Sequence, residues 1–441
     1  MDTHWHVRRL LDSPHRLGFA AAAAVLGLAA AVWAGLLIWP VLLQPGAMPA
    51  PAAHGLLFVF GFMPLFFAGF LFTVGPRWLR HAMDDARYAA LARRVRTPVL
   101  IYAATWLAWW PVWLMTAIGS VGADRTTVAH TTVVAAALLP AALLALAALS
   151  WSVIVVRLVG LQTRGAPGLS AARGSPHFRC AVYAATVGAV LLWATAGAAA
   201  LESWGLLHAL TLAALWSFCG GLFASASHRM LPLDTMADLP ALETRHPLWL
   251  LAVLGAALGL QAIGVLTAAL WWPLPAGWHA LQAGVTAAAA SLFGFIAWRW
   301  ARRQRLGRQL VAMLHIGLVW LVVALALQAA AHALAAVDRP GALALAPVHA
   351  LALGWMGSTL FAMASRVAGA FGGQAQAADR VTWRLFALVQ VAALARVGAA
   401  VWPVASPWLT PLAAVAWAAA GACWLVFYGR WLGRPRQPAR R

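Results

Sequence analysis

One stretch limits the folds open to this chain more than any other. It is residues 347–369, PVHALALGWMGSTLFAMASRVAG, an apolar run with His349 near one end and Arg366 near the other. The two are separated by a span of about 26 Å at the α-helical rise, close to the thickness of a bilayer's hydrocarbon core. The pattern recurs. WGLLHALTLAALWSFCGGLFASASHRMLP carries His208 and Arg229, and AAHGLLFVFGFMPLFFAGFLFTVGPRW carries His54 and Arg77. Two further apolar segments open less fully in the same way, at His130 and His279. The five histidines follow one another at intervals of 76, 78, 71 and 70 residues, one per helical hairpin.

A chain with 63% hydrophobic and 10% charged residues, in long apolar runs broken by short polar turns, reads as an all-α polytopic membrane protein. The alternating ten-residue strands of a membrane β-barrel do not occur. All 31 basic residues are arginine, and the net charge is +20. Their placement in alternate loops is a topology signal rather than a nucleic-acid footprint, so no nucleic-acid partner is expected. Cys180, Cys219 and Cys423 form no CxxC and no disulfide framework. The basic start leads straight into a full-length apolar span, the pattern of a signal anchor.

About twelve spans are expected, near 18–43, 53–75, 97–119, 128–156, 180–200, 204–228, 247–270, 277–298, 309–334, 343–365, 382–402 and 408–428. The N-terminus, the loops after even spans, the C-terminal tail and the inner edge of span 11, where Arg384 lies, hold 28 of the 31 arginines. By the positive-inside rule both termini are cytoplasmic. Residues 1–17 are then a basic cytoplasmic N-terminus, 18–428 a single transmembrane domain, and 429–441 a basic cytoplasmic tail. The basic stretches 77–96 and 229–246 read as cytoplasmic connectors. The hairpin period predicts an internally duplicated bundle with the even spans as its inner set.

In this topology His54, His130, His208, His279 and His349 all lie near the outer ends of even spans. Histidine in a span faces protein or a cavity rather than lipid. Several imidazoles at one depth make a candidate metal site, since imidazole suits iron, copper and zinc. An axial histidine also suffices to anchor a haem. His54, His208 and His349, on the fullest repeats, are the candidate cofactor ligands, and His130 and His279 complete the metal set. His332, near the outer end of span 9, has the right depth. Glycines along these spans allow close helix approach or room for a flat macrocycle, and Phe58, Phe60, Trp216 and Trp355 either pack the bundle or stack on such a ring. Arg396 sits inside span 11, roughly 20 Å along its helix at the α-helical rise. Its planar fork suits an anionic cofactor group such as a haem propionate; the alternative is snorkelling toward Trp402. Arg77, Arg229 and Arg366 read as inner-boundary anchors.

HGLLFVFGFMPLFFAGFLFTVGPRW, SHRMLP, RQLVAMLHIGLVWL, HALALGWMGSTLFAMASRV and the opening PHRLGF resemble the NnrS family, in the family's order and over nearly the whole chain. The resemblance implies a twelve-span bacterial inner-membrane protein containing haem and copper and linked to nitric oxide and nitrosative stress. It matches His54, His208 and His349 to the family's helix-opening histidines and Arg366 to its span-10 arginine. Two departures stand out. Ala370 replaces a histidine the family often has after that arginine, and Ala103-Ala104-Thr105-Trp106 lacks an arginine often found in the third span.

No HExxH, GxSxG or Walker loop occurs, and carboxylates are nearly missing from the spans, so a hydrolase or a carboxylate proton relay is not indicated. The expected function is haem and copper binding in nitric oxide tolerance, with the lipid bilayer as its surroundings and nitric oxide as a possible small ligand. If the protein catalyses a reaction, it is redox chemistry on nitrogen oxides. A transporter of a small molecule or metal complex, and a structural partner of a respiratory complex, are the competing readings. The arginine asymmetry makes the topology testable. Reporter fusions after Gly46, Ala123 and Pro275 should report periplasm, and those after Asp85 and Gln304 cytoplasm; two reversed fusions would overturn the orientation.

Overall fold

Among the described residues twelve helices are long and apolar enough to cross a membrane, and no strand occurs. With no water in a bilayer core, backbone N–H and C=O groups must pair within each segment, and the helix is how a single chain segment does so. The structure, a computed structural model, describes residues 4–39, 48–79, 84–119, 130–163, 175–230, 247–271, 273–303, 306–307, 309–343, 345–371 and 380–434. Within these, the side chains of residues 85, 116–119, 130–137, 230, 303 and 370–371 fall outside the description.

The helices are α1 (Pro14–Ile38), α2 (Ala50–Trp78), α3 (Asp85–Gly119), α4 (His130–Thr163), α5 (Pro176–Ala200), α6 (Trp204–Arg229) and α7 (Leu248–Leu270). They continue with α8 (Ala276–Arg303), α9 (Gln309–Ala336), α10 (Ala346–Gly369), α11 (Arg380–Val401) and α12 (Pro403–Leu432). All twelve expected spans are present. The polytopic all-α architecture is therefore as read from the sequence.

Two expectations need correction. Most of the segment taken as a connector, 77–96, is helix, because α3 begins at Asp85 and runs for 35 residues. The cause is local. Asp84 caps the helix by accepting from the Arg87 backbone N–H at 2.7 Å, and the following residues are mainly alanine, leucine and arginine, all good helix formers. The connector at 229–246 lies outside the described residues from 231 onward. The second correction concerns the inner set. In α2, α6 and α10 the apolar stretch is 83%, 72% and 78% buried, against 28–50% in the other nine spans. Only every second even helix is interior. Helices α4, α8 and α12 are as peripheral as their odd neighbours.

The chain divides into two compact units, His4–Leu222 and Phe223–Arg441, with the boundary inside α6. In the first, α2 packs against α1, α3, α4, α5 and the opening turns of α6. In the second, α10 packs against α9, α11 and α12, while α8 packs on α7 and, more extensively, on α9. Each unit is thus built around one glycine- and aromatic-rich helix.

Small residues set how closely these helices approach, as apolar association in lipid relies on van der Waals fit. A Cβ placed on Gly18 of α1 would lie 2.5 Å from the Gly69 Cα of α2, so the two backbones touch at this crossing. On α10, a Cβ at Gly354 would lie 2.5 Å from the Trp320 ring of α9. Gly18→Leu should therefore force α1 off α2 and destabilise the protein by about 1–3 kcal/mol, the cost of overpacking. A lowered unfolding midpoint in detergent checks this; an unchanged midpoint would mean that the crossing is not tight.

Candidate functional site: the histidine-bearing spans

The three buried spans share a backbone feature that no sequence pattern announced. Each widens from α to π geometry shortly after its histidine: Leu57–Phe62 after His54, Leu215–Cys219 after His208, and Ala350–Gly357 after His349. A fourth π segment, Leu425–Gly429, lies in α12, which has no histidine. Such segments shift the i→i+4 ladder by one residue and cluster at functional sites. They also loosen backbone carbonyls from their usual partners, and in an apolar bundle side chains must satisfy them. In α2 this is visible. The Tyr102 hydroxyl of α3 donates to the Phe60 carbonyl, and the Cys219 thiol of α6 donates to the Val59 carbonyl at 3.5 Å. Phe60 and Phe218 meet alongside, with centroids 6.3 Å apart. The π segments of α2 and α6 therefore face each other, and Cys219 is a buried hydrogen-bond donor between them.

The histidines themselves fall into distinct settings. His54 stacks on Trp33 of α1 at 4.1 Å and lies 4.7 Å from Phe58. His208 is exposed. The opening turns of α2 and α6 run together, with Gly55 against Thr211, so His54 and His208 sit at the same end of the first unit. The side chain of His130 lies outside the described residues, as does that of Ala370. His279 is buried, and its ring centre is 6.4 Å from that of His332 on α9. Among the described residues no three His, Cys, Asp or Glu side chains converge.

His349 has the most defined geometry. Its Nδ1 lies 2.8 Å from the Leu345 carbonyl, one turn back. A carbonyl only accepts, so Nδ1 carries the proton and Nε2 keeps its lone pair. This is how ligating histidines are usually oriented, with one nitrogen donating to a fixed acceptor and the other presented to the metal. The π segment begins at the very next residue. Arg396 of α11 lies within electrostatic reach of His349, where the opening of α10 packs on α11. Among the described residues Arg396 makes no hydrogen bond and no ion pair. A guanidinium there stands ready for an anionic group, while the adjacent lone pair stands ready for a metal. The donors present thus suit a haem or a copper ion. Of the sequence-selected residues, the fold brings His349 and Arg396 together.

Other candidates take structural roles. Phe60 packs on Phe218, and Trp355 packs 6.0 Å from Phe223. Arg77, at the far end of α2 from His54, is exposed, as an anchor would be. The sequence reading passed over the carboxamides. Gln390 accepts from the Trp320 indole and donates to Ser358, both at 2.8 Å, tying α9, α10 and α11 together beside the third π segment. Gln261 and Gln328 reach His332, and Gln282 lies one turn from His279 on α8. An uncharged polar residue inside an apolar run was the available signal for each.

These features define a class: a multi-pass α-helical membrane protein whose buried spans each set an imidazole ahead of a π segment. The sequence model of one family, described as NnrS protein, matches residues 9–436. The chain belongs to the NnrS family, a family of membrane proteins of the nitric oxide response. A comparison with curated proteins finds no match.

The bond from Tyr102 to the π segment of α2 gives a direct test. Tyr102→Phe removes the donor and leaves the Phe60 carbonyl buried without it, a loss of about 1–3 kcal/mol. The unfolding midpoint in detergent should fall accordingly; a midpoint equal to that of the parent would show that the π segment does not depend on this hydroxyl.

Proposed function

We propose that this protein binds haem, with copper as a further metal, and acts in the nitric oxide response from the bacterial inner membrane. The observation that carries the reading is the proximity of His349 and Arg396: an imidazole with Nε2 presented and, within electrostatic reach, a guanidinium with no hydrogen-bond or ion-pair partner among the described residues. His349 would hold the haem iron through Nε2, and Arg396 would pair with an anionic group of the haem. His54 and His208, at one end of α2 and α6, are the ligands of a second set. When bound, such a metal supplies redox chemistry and an open coordination position for a small diatomic ligand.

The chain's own residues contribute orientation and exclusion. The Leu345 carbonyl fixes the tautomer of His349. The π segment at 350–357 sets the ring's position relative to the buried face of α10. The apolar surroundings keep water from a bound group and raise the strength of the Arg396 contact. By the arginine asymmetry this site lies toward the periplasmic side.

The transporter reading draws on one observation, the division of the chain into two compact units. Spectra discriminate. The protein purified in detergent should show a haem Soret band and copper by metal analysis, and the reduced form should shift on addition of nitric oxide. His349→Ala should lower haem content several-fold while leaving the protein in the membrane. Arg396→Leu should loosen haem retention or shift its potential, with Arg396→Lys keeping part of both. A colourless, metal-free preparation, or unchanged haem in His349→Ala, would refute the assignment.

A further inference from the structure

Away from His349, the ends of α7, α8 and α9 enclose a second polar cluster, and its hydrogen bonds fix one another in sequence. Gln261 of α7 directs its amide nitrogen at the Ala257 carbonyl, 3.4 Å away, and at Thr286 Oγ1 of α8, 2.8 Å away. A carbonyl cannot donate, so this end of the amide is the NH2 and the other is the oxygen. That oxygen lies 2.8 Å from Nε2 of His332 on α9. Nε2 must therefore carry the proton and donate to it. The amide nitrogen of Gln328 is placed 3.0 Å from the same nitrogen; two N–H donors cannot share one bond, so with Nε2 protonated the Gln328 amide is turned end for end to present its oxygen. The Gln261 contact then assigns the tautomer of His332: Nε2–H is held by the Gln261 oxygen, and Nδ1 keeps its lone pair.

The second imidazole, His279 of α8, is buried, with its ring centre 6.4 Å from that of His332 and the planes 28° apart. Two imidazole nitrogens each about 2.0–2.1 Å from one metal would place the ring centres roughly 5–6.5 Å apart, depending on the angle at the metal. One turn along α8 from His279, the amide nitrogen of Gln282 is fully buried and has no hydrogen-bond partner among the described residues. It seats against Gly264 of α7, where any side chain would collide with it. This buried donor, seated against a glycine and one turn from His279, has one hydrogen bond left to make.

We propose that His279 and His332 bind one late first-row transition-metal ion, with Gln261 orienting His332 and Gln282 donating to a further ligand on that metal. Imidazole donors select this class of ion over calcium or magnesium, which need oxygen ligands. The extensive packing of α8 on α9 suits an ion rather than a macrocycle. His279 is thereby separated from the other helix-opening histidines and paired with a residue of an odd helix. The site stands whether or not His349 carries a haem.

The test uses full-length protein in detergent, stripped with a chelator and titrated with Co(II), whose visible absorption reports ligation. The parent should bind one ion per chain at this site. His279→Ala and His332→Ala should each weaken binding at least tenfold, and Gln261→Leu, which retains both imidazoles, should weaken it about 10–100-fold. His349→Ala should leave this binding unchanged while affecting haem, so the two readings fail separately. If either alanine variant does not accumulate, Gln261→Leu and His332→Gln decide the matter. Absence of Co(II) absorption in the parent, or parent-like affinity in the variants, overturns the proposal.

Discussion

Every other feature of this protein depends on keeping backbone carbonyls satisfied inside an apolar bundle. A regular helix does so alone. The π segments in α2, α6 and α10 do not, and they lie in the three helices that are most buried, where an unmet carbonyl is most costly. The Tyr102 hydroxyl and the Cys219 thiol meet that demand in α2. A chain that maintains wider turns at its least forgiving positions, each downstream of a histidine, keeps them for what they do to the neighbouring side chains. A shifted ladder rotates everything beyond it by part of a turn, so the buried face of the helix changes where the histidine segment ends.

The polar groups follow the same economy. Acidic residues are nearly missing from the spans, so imidazoles are oriented by neutral acceptors: the Leu345 carbonyl for His349, and the Gln261 amide oxygen for His332. In each case one ring nitrogen donates and the other retains a lone pair. Neutral orienters avoid burying a carboxylate, whose desolvation in this setting would be severe. Arg396 is the exception, a cation near His349 with no acidic partner among the described residues. In the haem reading its partner comes with the cofactor.

The division into two units bears on the duplicated pattern. Each unit packs around one buried, π-containing helix, α2 in the first and α10 in the second, and α6 spans the boundary between them. The repeat seen as five histidines is therefore uneven. The three full repeats are interior, whereas the two partial ones, at His130 and His279, open peripheral helices. His279 accordingly finds its neighbours in α7 and α9 rather than among the other helix-opening histidines.

Span number, helical class and family were legible in the sequence, because hydropathy and length alone dictate helices in a bilayer and the histidine-leucine openings carry the family's pattern. His349 and Arg396 stood out as ionisable groups in apolar runs, and that the fold sets them within electrostatic reach of each other needed the tertiary structure. The π segments were not legible: a one-residue shift in the ladder depends on which side-chain donors reach the carbonyls, and those come from other helices. Nor was the interior position of α2, α6 and α10 alone among the even spans, which follows from glycine and aromatic surfaces meeting partners distant in sequence. The tautomers of His332 and His349 needed the folded chain as well. A ring nitrogen's proton goes to the nearest acceptor, and for His332 that acceptor is a glutamine 71 residues away.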